Sequence, residues 1–181
     1  MAKKKNVKTL LPVIIVAGAA ILALIMALIL TGITKSQTYG STTAVNTVSL
    51  VGMIFGGGPS VGTLGSTSTS TEYQGGMSIF GLISFIVLLL GVASLVASVF
   101  VEDKKLDLLG AALIALAGIL MLLLLSAGTD LARTIGNTTV TTTFAEAFEG
   151  YSLATGPIVY AIIAILGGGF GVANYFLKIV K

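Results

Sequence analysis

The side chains that could do chemistry are few and scattered. Asp130 and Arg133 stand three apart, a spacing that makes a surface ion pair on a helix end rather than an active site. The chain has no histidine, cysteine or tryptophan. The commonest general base, the thiol nucleophile and the usual soft metal ligands are therefore all missing, and disulfides are excluded. What remains are loop carboxylates and isolated hydroxyls, neither paired for acid–base work nor set beside an activating base. No catalytic residue, metal ligand or cofactor-binding residue is assigned, no cofactor is expected, and the chain is not expected to be an enzyme. A Gly-rich phosphate loop ending in Lys-Ser/Thr is absent too, which excludes a self-contained transport ATPase. Asn137-Thr138-Thr139 matches the N-glycosylation acceptor, a three-residue match that a Thr-rich loop produces easily by chance.

The elements that must position these residues are set by hydropathy. Mean hydropathy is +1.06 with 55% apolar and 9% charged residues, whereas a soluble surface needs roughly a quarter of the residues charged. Four nearly uninterrupted apolar runs cover 10–33, 77–100, 106–127 and 157–180. Each is long enough for a transmembrane helix, in which internal hydrogen bonds satisfy the backbone inside hydrocarbon. The expected fold is an all-α membrane protein: a four-transmembrane-helix bundle, one domain over 1–181, with a small β-rich extracellular cap formed by two outer loops, 34–76 and 128–156. The first run follows Lys3, Lys4, Lys5 and Lys8 as a signal peptide's core would. It is longer than the usual h-region and lacks a small-residue cleavage site before Gly40, so it reads as a retained span.

Basic residues fix the expected direction. Lys3, Lys4, Lys5, Lys8, Lys104, Lys105, Lys178 and Lys181 fall on one side of the four-span layout, with Lys35 and Arg133 on the other. Lysine and arginine are retained on the cytoplasmic side during insertion, so both termini are expected in the cytoplasm of a multi-pass cell-membrane protein. The basic balance is then a matter of topology and lipid contact, and no nucleic-acid partner is expected.

Helices in lipid associate by close packing, which small residues four apart permit. The first run offers Ala19, Ala23 and Ala27, the second Ala93 with Ala97 and Ser94 with Ser98, and the third Ala111 and Ala115. The fourth is densest, with Ala164, Gly167, Gly168, Gly169 and Gly171. Ala164, Gly167, Gly168 and Gly171 are the candidate seam, serving either packing inside the monomer or association between copies. The connection between the second and third runs is so short that they must form an antiparallel hairpin.

The first outer loop is long enough to be structured or functional. Residues 45–55 are apolar and β-branched, 56–59 form a turn and 61–71 are rich in Ser, Thr and Gly, which reads as strand, turn and strand. Thr138 to Thr143 in the second loop are expected to add a third strand to the same sheet. Phe144, Ala145, Phe148 and Tyr151 recur at helical spacing, as a short helix lying as a lid over the bundle. Val48, Leu50, Met53, Phe55, Gly56, Gly57, Gly58 and Pro59 are the candidate partner-contact segment. Alternatively, the stretch 48–64 dips into the membrane as a re-entrant loop.

The spans carry no ionisable group near their middles; Asp107 lies in the first turn of the third, where it favours a helix N-terminus. The expected function is therefore contact: a scaffold, an adhesion or assembly protein, or an accessory subunit, with the lipid bilayer and other membrane proteins or itself as partners. The alternative is a homo-oligomeric passive channel or transport-related subunit. The layout of long first outer loop, tight inner turn and shorter second outer loop resembles that of the claudin-like tetraspans along the whole chain. That family's first-loop Trp, Gly-Leu-Trp and cysteine pair have no counterpart in a chain without Trp or Cys, so the likeness is architectural and carries no residues over.

Overall fold

The computed structural model describes residues 7–39, 42–56, 72–101, 103–135 and 138–179. In chain order these form α1 (Val7–Ile29), β1 (Thr31–Tyr39), β2 (Thr42–Ser49), α2 (Leu50–Phe55), β3 (Glu72–Gly75) and α3 (Ile79–Val101). They continue with α4 (Lys104–Met121), β4 (Leu131–Ile135), β5 (Thr138–Thr142), α5 (Phe144–Ala147), β6 (Ser152–Leu153) and α6 (Thr155–Leu177). The chain is mostly helical, with two small sheets at one end of the helices.

Among the described residues three helices are long and apolar enough to cross a membrane: Leu10–Ile29, Ile79–Val101 and Thr155–Leu177. The third apolar run, 106–127, behaves differently. Its helix, α4, has 18 residues and opens on Lys104, Lys105 and Asp107, so fewer apolar residues are left in helix than in its neighbours. From Leu122 onward the backbone tightens. Leu122, Leu123, Leu124 and Ser126 each donate to the carbonyl three residues back, at 2.9 to 3.2 Å. Those are 3₁₀-type turns, which advance the chain further per residue than an α-helix does.

Helix order follows the small residues. α6 packs against both α1 and α4, α4 packs against α3, and α1 meets α3 only lightly. Buried residues of α4 fall on one stripe, Gly110, Ala111, Ile114, Ala117, Gly118 and Met121, as a core-facing helix requires. On α3 the buried stripe is Gly81, Ser84, Leu88, Gly91, Leu95 and Ser98. This corrects the expected Ala93 and Ala97 stripe, since Ala93 is exposed and Ala97 only half-buried. The Ser94 and Ser98 pair divides its work: Ser94 bonds across to α4 while Ser98 turns back to Leu95 of its own helix.

The cap departs most from expectation. Instead of one three-strand sheet there are two three-stranded sheets, β2-β1-β6 and β3-β4-β5. Each borrows a strand from the other connection. All pairings are antiparallel. The first apolar run, expected to be helical to Ile33, leaves the helix at Ile29, and Ile33 is a fully buried residue of β1. Thr31, Ile33 and Thr34 carry branched Cβ atoms that suit a pleated strand, and the Leu30 carbonyl accepts from Leu50 N–H at 3.1 Å, so the chain turns there without a linker. The hairpin partner of β2 is thus the preceding β1, paired from Tyr39↔Thr42 to Thr31↔Ser49. The expected second strand at 61–71 lies outside the described residues.

Residues 50–55, expected to extend a strand, form α2. Ser49 caps it: its hydroxyl accepts from Gly52 N–H at 3.0 Å, and Leu50, Met53 and Ile54 form its buried face. Gly56 ends it in the left-handed region with φ 93°, which glycine adopts without Cβ strain, and donates to the Gly52 carbonyl at 2.9 Å.

Candidate functional site: the cap and its footing on the helices

The β2-β1-β6 sheet grows directly out of helix ends. One residue, Leu30, separates α1 from β1, and one residue, Ala154, separates β6 from α6. Close approach makes this joint possible. A Cβ on Gly32 would lie 2.8 Å from Leu50 Cα, and one on Gly156 would lie 2.4 Å from the Thr31 carbonyl oxygen. Ala154 N–H donates to the Gly32 carbonyl at 3.0 Å, closing the joint between α6 and β1.

The second sheet is anchored at the start of α3. Ile79 N–H donates to the Ala127 carbonyl at 3.0 Å and Thr129 N–H to the Met77 carbonyl at 2.9 Å, while Met77 N–H reaches the Thr129 hydroxyl at 3.0 Å. Ser78 sits at the centre of this footing and is fully buried. Its N–H donates to the Met53 carbonyl of α2, its hydroxyl donates to the Leu124 carbonyl, and the same hydroxyl accepts from Gly81 N–H as an N-cap would. One serine thus ties α2, α3 and the turns after α4.

The short helix expected in the second connection is α5. Thr143 and Glu146 form a capping box: Glu146 N–H donates to the Thr143 hydroxyl at 3.3 Å, and Thr143 N–H and hydroxyl donate to one Glu146 carboxylate oxygen at 3.1 and 2.8 Å. Those bonds, the hydroxyl's first and the backbone's second, hold the Glu146 carboxyl below its ordinary value of 4.5. Phe144 and Phe148 are buried, with ring centroids 4.7 Å apart. Lys35 of β1 crosses to the residues just after α5. Its ammonium donates to the Glu149 carbonyl at 2.7 Å and sits 5.6 Å from the centre of the Tyr151 ring.

The candidate contact segment is split by this arrangement. Val48, Leu50 and Met53 are buried and serve the footing, whereas Phe55 is 54% exposed and packs edge-on against Phe85 of α3 at 5.2 Å. Gly57, Gly58 and Pro59 lie outside the described residues, as does Asn137 of the acceptor motif. Asp130 and Arg133, expected on a helix end, instead lead into and lie within β4, so helical spacing does not bring them together. Compared with known proteins, the chain matches no family model, and no curated protein matches it.

The glycine face of α6 is turned onto its own neighbours. A Cβ on Gly167 would lie 2.3 Å from Ala19 Cβ of α1, and one on Gly168 would lie 2.5 Å from both the Ala111 carbonyl oxygen and the Ala115 amide nitrogen of α4. One on Gly171 would meet Ala111 and Val16 at 2.6 and 2.7 Å, and Ala164 is fully buried. Gly169 and Gly18 differ: both are exposed with open space around them.

Sequence reasoning missed the polar contact inside the helices. Ser84 of α3 donates to the Ala117 carbonyl of α4 at 2.7 Å and lies 3.3 Å from the Tyr160 hydroxyl of α6. With the serine's single proton on the carbonyl, the phenol is the donor of the second bond. The hydroxyls at 84 and 160 are legible one by one, but nothing in the spacing pairs residues 76 apart.

Proposed function

We propose that the chain is a four-span membrane protein, with both termini in the cytoplasm, that acts through contacts made by its cap as a scaffold, an adhesion or assembly protein, or an accessory subunit. The observation that carries this reading is the joint between cap and helices. With single residues between helix and strand, and Ser78 tying three elements, a partner held by the cap is held rigidly relative to the helices. The fourth span is supported by length. α4 extends ~27 Å at 1.5 Å per residue, and the 3₁₀ turns beyond it bring the rod to the scale of a hydrocarbon core of ~30 Å. The orientation is supported by Lys104, Lys105 and Lys178, which lie at the helix ends opposite the cap.

Within 45–55 the exposed apolar positions are Val45, 52% exposed on β2, and Phe55. Affinity purification at native expression in mild detergent, followed by intact-assembly mass, tests the reading. A stoichiometric second protein that is lost with Val45→Lys supports it; a lone monomer overturns it. A second reading, the homo-oligomeric passive channel, draws on Gly18 and Gly169, where another copy's helix can approach closely. It predicts a closed ring of this chain alone, and solute flux in sealed liposomes.

A further inference from the structure

At the end opposite the cap, packing brings basic residues of three helices to one level. A Cβ built on Gly171 of α6 would meet Ala111 of α4 at 2.6 Å and Val16 of α1 at 2.7 Å, so the three helices stand side by side there. About two helical turns further from the cap, each carries a lysine: Lys178 caps the end of α6, Lys104 opens α4 and Lys8 lies in the first turn of α1. Lys105 follows Lys104, and Lys104, Lys105 and Lys178 are all exposed. Topology asks only that lysines lie on this side of the membrane; the packing sets them at one depth. The carboxylates described here are engaged elsewhere, since Asp103 accepts from Lys105 N–H at 2.8 Å and Asp107 buries its Oδ1. Among the described residues, Lys178 is also the one non-glycine with a positive φ, at 50°. Helices usually place glycine at such a left-handed end, so backbone preference does not account for a lysine there.

The same end is strongly apolar on its outside. Phe100 and Phe176 are 81% and 68% exposed, Val101, Leu177 and Ile179 are open as well, and Tyr175 packs edge-on against Phe176 at 5.2 Å. A soluble anion would meet the lysines and leave these side chains in water. A phospholipid meets both, with its phosphate on the ammonium groups and its acyl chains on the aromatic and aliphatic surface. The depth agrees. α6 has 23 residues, which extend ~34 Å at 1.5 Å per residue against a hydrocarbon core of ~30 Å, so its end emerges at the headgroups, where aromatic residues also collect. A zwitterionic headgroup carries its own cation beside the phosphate, whereas an anionic one leaves its charge for the protein to neutralise. A level of lysines therefore selects the anionic kind.

We propose, resting on the reading of the helices as membrane spans, that Lys104, Lys105 and Lys178 with Phe100 and Phe176 bind the headgroups of anionic phospholipids in the adjacent leaflet. The full chain is reconstituted in phosphatidylcholine vesicles with a trace of spin-labelled phosphatidylglycerol or phosphatidylcholine. Electron paramagnetic resonance then measures how strongly each lipid associates with the protein surface. Phosphatidylglycerol should associate about threefold more strongly or better at low salt, and approach parity in about 1 M NaCl. Combining Lys104→Gln, Lys105→Gln and Lys178→Gln should abolish the preference, whereas Lys178→Arg, which keeps the charge, should retain it. Equal association of the two lipids with the wild type, or an undiminished preference in the combined variant, overturns the proposal. Alkaline extraction of the same vesicles separates this failure from failure of the span reading. A chain that stays in the bilayer without preferring phosphatidylglycerol loses the lipid site alone, and a chain that is released loses both.

Discussion

The helices and the cap are held together in opposite ways. Along α6 the contacts depend on side chains that are missing: Gly167 and Gly168 let Ala19, Ala111 and Ala115 approach to distances that a single methyl group would forbid. In the cap, beyond the close approaches at Gly32 and Gly156, the contacts depend on side chains that are present, as Ser49, Ser78, Thr143 and Lys35 each supply a hydrogen bond that the backbone lacks. The difference follows from solvent. Where apolar groups surround a helix, dispersion and close approach set the energy, and a polar bond gains little because the separated helix finds other partners. Where the chain turns often, backbone groups need partners that only side chains can provide.

The sharpest way to break this contrast is to add one methyl group at neighbouring glycines. Gly168→Ala places a Cβ against the α4 backbone, which cannot rotate away, and should destabilise by about 1–3 kcal/mol. Gly169→Ala meets open space and should be neutral, or stabilise by up to about 1 kcal/mol through helix propensity. Reversible unfolding in mixed micelles, followed by far-UV circular dichroism, measures both. Equal shifts would mean that α6 is not packed as described.

The buried hydroxyl pair supplies a middle case. Ser84→Ala removes a bond to the Ala117 carbonyl and the acceptor of the Tyr160 proton, yet should cost only about 0.6 kcal/mol, with an upper bound of about 1.7. Tyr160→Phe completes a double-mutant cycle, and its coupling energy isolates the 3.3 Å contact. A loss from Ser84→Ala larger than that from Gly168→Ala would reverse the ranking, making polar bonding a stronger tie among the helices than close approach.

How much of this was legible depended on the range of the interaction. Three apolar helices could be read, because hydropathy is a local property. The end of α1 left only Thr31 and Gly32 as a signal, because Ile33 continues the apolar run beyond them and hydropathy does not separate a buried strand from a buried helix. Helix α2 left a signal that was passed over: Ser49 before an apolar run is an N-cap pattern, and Gly56 a matching stop. The two sheets left none. β6 has two residues, and its pairing with Ile33 and Thr34 spans most of the chain. Of the expected partner-contact segment, Val48, Leu50 and Met53 are buried at the footing instead of facing outward.

The smallest effect should come from the exposed capping box, where a charge is screened by water on every open side. The Glu146 carboxyl is held below its ordinary value of 4.5 by the Thr143 hydroxyl and N–H, so folded α5 binds that proton less readily than the unfolded chain does. The sign follows: the contribution is fully present above pH 4.5 and is lost as pH falls through the lower, folded value. Amide exchange at Glu146 and Ala147, compared between pH 6 and pH 3 after correction for intrinsic rates, should show protection of α5 falling with acid. Thr143→Ala should remove the pH dependence together with the cap, while the helices stay protected throughout. If acid loosened α6 as much as α5, then the cap and the helices would be one cooperative unit, and the contrast between hydrogen-bonded cap and close-packed helices would describe their contacts without describing their stability.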